Sequence, residues 1–285
     1  MAEKPKVAFF DFAGCEGDQL QVVNLEEKLL DLVEIVDVVS FREAMSDHSD
    51  DYDIAFVEGS ATTPHAEERL KEIRENADIV VAIGACATIG GINSIRNPKD
   101  FDKVQKTVYD DKADQFESWE KAKPADAVIE IDYKVHGCPI DRDEFIHVVE
   151  SLLLGKEPNI PNYPVCVECK LNENVCAFER DEFCLGPVTR AGCDACCVNE
   201  GTKCWGCRGL IDNPNEEAHK EVLEEYGLSA EEVINEFNLY FGWQNEVRKQ
   251  KEEEENEQKY RYRCRIPNSS RGSRKHSSKR RRWKY

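Results

Sequence analysis

The chain has 285 residues, 40% of them hydrophobic, enough for one large or two ordinary domains with a real core. Its formal net charge of −19 hides an asymmetry, because twelve of the 38 Lys and Arg lie between Lys259 and Tyr285, where there is no acid. The remainder carries 26 basic against 57 acidic residues, a net −31, which disfavours nucleic acid and anionic membrane as partners.

From Met1 the chain goes directly into the apolar run Val7-Ala-Phe-Phe. No charged-then-apolar signal segment and no twin-arginine pair stand there, and no apolar run in the chain approaches membrane-spanning length. A cytoplasmic protein is expected. Val7 to Phe12 reads as a buried strand that ends at Gly14-Cys15-Glu16-Gly17-Asp18. Val22, Leu25, Leu29, Leu32 and Val33 then recur at helical spacing. Glu34 to Val39 and Asp53 to Val57 are two further β-rich runs, the second closing on Glu58-Gly59-Ser60. Pro64 to Asn76 is an amphipathic helix, and Ile79 to Gly84 is the most apolar run, ending on Ala85-Cys86-Ala87. Val128 to Asp132 is predicted as a strand leading to His136-Gly137-Cys138-Pro139, with a helix from Phe145 to Leu154.

Strands alternating with helices imply an α/β domain with a doubly wound, mostly parallel sheet, whose ligands sit beyond the carboxyl ends of the strands. Cys15, Cys86 and Cys138 each follow directly after a predicted strand. One such cysteine is ordinarily a buried structural thiol. Three at one sheet edge predict a metal site assembled from residues distant in sequence. A nucleotide reading of Gly14 and Gly17 fails, since there is no G-x-G-x-x-G and Glu16 and Asp18 repel phosphate.

Nine of the thirteen cysteines then crowd into residues 166–207. Cys166 and Cys169 form one C-x-x-C pair, and Cys204 and Cys207 another. In a reducing compartment such clusters mean metal rather than disulfides. Beyond them Asn215 to Tyr226 and Ser229 to Asn238 read as helices, the second with Ser229 as cap and Glu232 completing a capping box. Asn238 to Trp243 is an apolar patch that packs on the cysteine region or on a partner. Residues 246–285 read as a charged, unstructured tail, and Cys264 within it is not a ligand candidate.

Together Cys15-Glu-Gly-Asp18-Gln-Leu, Glu58-Gly-Ser, Gly84-Ala-Cys86-Ala, Gly137-Cys138-Pro, Pro164-Val-Cys166-Val-Glu-Cys169, Cys184-Leu-Gly-Pro-Val-Thr-Arg-Ala-Gly-Cys193 and Cys204-Trp-Gly-Cys207-Arg-Gly resemble the small subunit of [NiFe] hydrogenases. The likeness is to the cytosolic sulfhydrogenase and F420-linked type. It covers about residues 5 to 240. It implies a flavodoxin-like domain over 1–160, a small irregular cysteine-rich iron–sulfur domain over 161–245, and the tail 246–285. It also implies an electron-transfer role: three iron–sulfur clusters relaying electrons between the Ni–Fe site of a large subunit and a further flavin or ferredoxin-type subunit.

Carried over residue by residue, Cys15, Cys86 and Cys138 match ligands of the proximal cluster. Cys166, Cys169, Cys176 and Cys184 match the distal cluster, and Cys193, Cys197, Cys204 and Cys207 the medial one. A cysteine at 197, where other members have proline, implies [4Fe–4S] rather than a three-iron cluster, and Cys196 is then surplus or exchangeable with it. The family's first loop usually reads C-x-G-C, whereas this chain has Asp18 in the fourth position. Asp18 is expected as a carboxylate ligand of the proximal cluster, which becomes [3Fe–4S] if Asp18 does not ligate. Glu16 reads as a solvated or interface charge, His136 as a weak candidate for a hydrogen bond to a cluster, and Trp205 as a packing residue. The chain lacks the large subunit's nickel motifs, so alone it is expected to be inactive.

Two other readings remain. One is a relay of the same build serving a non-hydrogenase dehydrogenase. The other is a structural zinc scaffold, which eight cysteines plus a site at three strand edges exceed. The final acceptor and the direction of turnover are properties of other subunits.

Overall fold

The computed structural model describes residues 4–265, with side chains described through residue 247 and at residue 250. Five strands, β1 (Lys6–Asp11), β2 (Asp37–Phe41), β3 (Ile54–Glu58), β4 (Ile79–Ile83) and β5 (Tyr133–Val135), form one sheet in the order β2-β1-β3-β4-β5. Every pairing is parallel. This is the flavodoxin-type order, and its reversal point lies between β1 and β3.

Alternation along the strands separates two cores. Val7, Phe9, Ile54, Phe56, Val81 and Ile83 face one side, where α1 (Gly17–Val23), α2 (Glu27–Ile35) and α6 (Arg142–Leu153) supply Val22, Leu32, Phe145 and Val148. Phe9 and Phe56 stack there at 4.8 Å between ring centroids, and Phe145 meets Phe56 at 5.3 Å. The opposite face is smaller, with Ala8, Ala55 and Ala82, which lets Leu70 and Ile73 of α3 (Pro64–Asn76) settle close to the sheet. That helix has the predicted bounds. Thr63 caps it by accepting from the Ala66 amide at 3.1 Å, and Pro64 occupies its first turn.

Several expectations need correction. The β-rich run expected over Glu34 to Val39 begins inside α2, and the strand itself spans Asp37–Phe41. The helical periodicity after Cys15 is split into α1 and α2, because Glu26 takes a left-handed φ of 56° between them. Val33, counted in that periodicity, is 42% exposed. The strand expected over 128–132 is an irregular segment packed on the second core, and β5 begins only at Tyr133. Asp132 is the reason: its Oδ2 accepts from the Val80 amide at 2.7 Å and ends the irregular run before the pairing of Val81 with Tyr133 starts. The helix with the capping box does start after Ser229, whose amide donates to Glu232 Oε2 at 2.8 Å, but it does not stop at Asn238. It runs on as α10 (Ala230–Arg265) through the apolar patch.

Between these parts lie α4 (Gly84–Ile89) and α5 (Phe101–Tyr109). The cysteine-rich stretch holds only α7 (Cys166–Leu171) and α8 (Cys196–Asn199), followed by α9 (Glu216–Glu225). By contacts the chain divides into two units, Met1–Glu246 and Val247–Tyr285. The expected tail is helical as far as Arg265, and residues 266–285 lie outside the described residues, as does the Cys264 side chain. Among the described residues no helix is long and apolar enough to cross a membrane.

Candidate metal centres

The loop after β1 is pinned against the loop after β3. The Phe12 amide donates to the Glu58 carbonyl at 2.8 Å, and Ala13 and Ser60 exchange bonds of 3.2 and 2.8 Å. Gly59 makes this possible at φ 91°, since a Cβ there would come within 2.6 Å of the Phe12 backbone. The chain then turns at Cys15 and enters α1, and the Asp18 and Gln19 amides donate to the two oxygens of Glu58 at 3.3 and 2.9 Å. Glu58, 2% exposed, is therefore the acceptor for the start of this helix, a role the sequence did not reveal.

Asp18 is 6% exposed, and its Oδ1 accepts from the Ile140 amide at 2.8 Å. Burial, reinforced by Glu58 beside it, pushes its carboxyl up to about 7. Cys86 opens onto the same place from α4. Burial first, then the neighbouring Cys138, Asp18 and Cys15, pushes its thiol up to about 12. Asn93 holds the rim by donating to the Ala13 carbonyl at 2.7 Å and to Ser60 Oγ at 2.8 Å, and it reaches Cys86 Sγ at 3.8 Å. The Ala85 amide donates to the Gly137 carbonyl at 2.6 Å, fastening the β4 and β5 loops together. The sheet edge thus brings together Cys15, Cys86 and Cys138, each of which follows a predicted strand, with Asp18, which only the family pattern pointed to, beside them.

In the cysteine-rich region Cys166 is surrounded by Cys184, Cys169 and Cys176. Burial and these three neighbours push its thiol up to about 12. Cys184 Sγ accepts from the Gly186 and Cys204 amides at 3.4 and 3.3 Å. A Cβ on Gly186 would lie 3.4 Å from the sulfurs of both Cys166 and Cys184, so the backbone passes directly beside this group. In the other group Cys207 neighbours Cys193 and Cys197, and burial pushes it up to about 12. Cys204 feels both Cys184 and Cys207, which puts it between the two groups. Cys196 is exposed and contacts Cys193 and Cys197. None of the twelve described cysteines is in a disulfide.

Two residues that the sequence left unassigned join the groups. Tyr240 of α10 sets its hydroxyl beside Cys138, and Cys207 and Cys86 also lie near it. Phe241 of the same turn sets its ring where a Cβ on Gly206 would sit 2.6 Å away, and Ser94 packs equally closely on Gly242. The apolar patch therefore packs on both the cysteine region and the sheet domain. Cys138 in turn lies beside Cys207. His136 is buried, and burial lowers its pKa well below the usual value. It does not bond a sulfur, and its Nδ1 has no hydrogen-bond partner. Glu16 sits at the turn into α1 with φ 56°, and Trp205 is 40% exposed beneath the Lys203 ammonium, 4.2 Å from its ring centroid.

Residues 15–152 match the family described as NADH ubiquinone oxidoreductase, 20 Kd subunit. Sulfhydrogenase 2 subunit delta of Pyrococcus furiosus is 34% identical over 241 residues, covering 84% of this chain and all of the relative. The chain belongs to the [NiFe] hydrogenase small-subunit family. NAD-reducing hydrogenase HoxS subunit delta of Cupriavidus necator is 30% identical to this small subunit over 176 residues, 56% of this chain and 83% of the relative. A solved NAD+-reducing [NiFe]-hydrogenase chain superposes with a TM-score of 0.51 at 27% identity, covering 56% of this small subunit and 96% of that chain.

Iron–sulfur clusters are implied by the family, and the donors present fit them. Buried, mutually repelling thiols held up to about 12 ionise only if a cationic core compensates them. The amide bonds to Cys184 stabilise the ionised sulfur. Among the described residues no three His, Cys, Asp or Glu side chains converge on one metal ion.

Proposed function

We propose that this subunit relays electrons through three iron–sulfur clusters between the Ni–Fe site of a hydrogenase large subunit and a further flavin or ferredoxin-type subunit in the cytoplasm. The division of labour is a flavodoxin-like domain over 1–160 and a two-cluster domain over 161–245. Cys15, Asp18, Cys86 and Cys138 hold the proximal cluster. Cys193, Cys197, Cys204 and Cys207 hold the medial one, and Cys166, Cys169, Cys176 and Cys184 the distal one. When bound, the clusters supply one-electron steps. The observation that carries the reading is the serial order of the groups, with Cys138 beside Cys207 and Cys204 beside Cys184.

The residues of the chain do three things in this arrangement. They present donors at the sheet edge and in the cysteine loops, they aim amides at sulfurs, and they bury the sites. The Asp18 carboxyl is held by the Ile140 amide through Oδ1 and bonds the Glu58 side chain, and once ionised it would supply the fourth donor of this site. A carboxylate in place of a thiolate changes the charge and hydrogen bonding that set the potential of the site.

The assignment of Asp18 has a direct test in electron paramagnetic resonance of the protein in both its oxidised and its reduced state. Asp18→Ala is expected to convert the proximal signal to that of a three-iron cluster or abolish it. Asp18→Cys is expected to keep a four-iron signal with a shifted potential. An unchanged proximal signal in the alanine variant removes Asp18 from the ligand set.

A further inference from the structure

Arg208 follows Cys207 directly and is only 1% exposed, the largest of the fully buried side chains. Its guanidinium is divided among three segments. Nε donates to the Ala191 carbonyl at 2.7 Å, Nη1 to the His136 carbonyl at 2.5 Å, and Nη2 to Glu144 Oε1 of α6 at 2.6 Å. Ala191 lies two residues before Cys193, and His136 two residues before Cys138. One planar head thus fixes the backbone leading into a medial-site cysteine and a proximal-site cysteine at once, which the rigid fork of arginine suits and a lysine cannot reproduce.

Gly192 belongs to the same device. A Cβ at that position would lie 2.3 Å from Arg208 Nη2 and 2.6 Å from Glu144 Oε1, and its φ is 110°. Glu168, between Cys166 and Cys169, anchors the following turn by accepting from the Gly192 and Ala195 amides at 2.6 and 3.2 Å. The ion pair itself is incompletely satisfied, since Glu144 Oε2 is buried without a hydrogen-bond partner. A buried pair of this kind gives little net stability over an apolar replacement, so stability alone does not account for it. Its charges are placed unequally with respect to the sulfurs, for it is Arg208 whose charge reaches Cys193 and Cys207.

We propose that Arg208 is the positioning residue of the proximal–medial junction, holding the Cys138 and Cys193 loops in register and setting the medial cluster at a higher potential than its thiolates alone would give. This rests on the relay reading above. Positive charge beside a cluster favours its reduced, more negative state, and Glu144 offsets part of that charge from the other side of the guanidinium.

The test is a redox titration of the purified holoprotein, followed by electron paramagnetic resonance, for wild type, Arg208→Gln, Arg208→Lys and Glu144→Gln, with iron content measured in each. Arg208→Gln is expected to lower the medial midpoint by at least about 59 mV, a tenfold change in a one-electron equilibrium. Glu144→Gln is expected to raise it, because the retained arginine loses its counter-charge. Arg208→Lys restores the midpoint but alters the magnetic coupling between the proximal and medial signals. The distal midpoint stays unchanged throughout. A purely structural strut moves the midpoint in the same direction whichever partner is removed, so shifts of equal sign, or none, overturn the proposal. If Arg208→Gln does not accumulate, the sign of the Glu144→Gln shift decides. Three wild-type signals with no such shifts sink Arg208 alone, whereas a wild-type protein without a medial signal sinks the relay reading and the proposal with it.

Discussion

Gly84→Ala is expected to empty the proximal site while leaving the other two loaded. Gly84 sits at φ 80°, and a Cβ there would fall 1.7 Å from Asp18 Oδ2 and 2.3 Å from its carboxyl carbon. The left-handed backbone alone costs a non-glycine residue about 1 kcal/mol. The collision is the larger effect, because the Asp18 carboxylate is buried and tied to Ile140 and has nowhere to withdraw. Iron and sulfide analysis should show a loss of about a third, one site among three of similar nuclearity. Gly201→Ala is the matched control. Its φ is 78°, and nothing lies within 4 Å of the added methyl, so it bears similar backbone strain without loss of iron. Full iron and an intact proximal signal in Gly84→Ala contradict the placement of Asp18 at that site.

Stripping the iron should unfold the cysteine-rich stretch and spare the sheet domain. The apolar cluster of that stretch consists of Val165, Cys169, Ala177, Cys184, Ala195, Val198 and Cys204, so three of its seven members are the proposed ligands themselves. Its helices are six and four residues long, too short to stand without tertiary support. The two faces of the sheet, by contrast, bury Phe9, Phe56, Phe145, Leu70 and Ile73 without using a cysteine. Metal binding in such a segment is also its folding energy. Limited trypsin digestion after chelation is expected to cut at Lys170, Arg180 and Lys203 about tenfold faster or more, leaving a fragment that contains Lys6 to Leu153. Equal cutting rates before and after chelation would mean that the stretch folds without iron.

How far the sequence carried this account depended on whether the deciding contact was local. Pro64 to Asn76 was legible as α3 because an amphipathic pattern repeats within a few residues, and the Thr63 cap that the structure adds is equally local. Ile79 to Ile83 is legible as a strand because an unbroken apolar run ending on glycine suits a sheet covered on both faces. Cys15, Cys86 and Cys138 could be placed at one edge because strand ends in a parallel sheet share a side. β5 was misplaced because Asp132 is held by Val80, 52 residues earlier, and no window of sequence contains that bond. Glu58, Tyr240 and Arg208 went unassigned for the same reason. Arg208 follows a cysteine like any charged neighbour, and only folding shows that it reaches Glu144, 64 residues away. Tyr240 was hidden by its own context, since Asn238 to Trp243 has the composition of a packing face and is one.

The grouping of the cysteines sits between these extremes. Order and C-x-x-C spacing separate Cys166 and Cys169 from Cys204 and Cys207. The choice of Cys197 over Cys196 rests on the family pattern, and the structure adds that Cys196 is the exposed one of the two while Cys207 neighbours Cys197.

In the proposed relay, twelve donors hold three iron–sulfur clusters in series. The most direct measurement is anaerobic purification of the full chain with its partners, followed by iron, sulfide and zinc analysis and a spin count on the reduced protein. About twelve iron and twelve sulfide per chain are expected if each site holds four, with three magnetically interacting signals and no stoichiometric zinc. A colourless protein carrying zinc in place of iron, or iron sufficient for only one cluster, would contradict it.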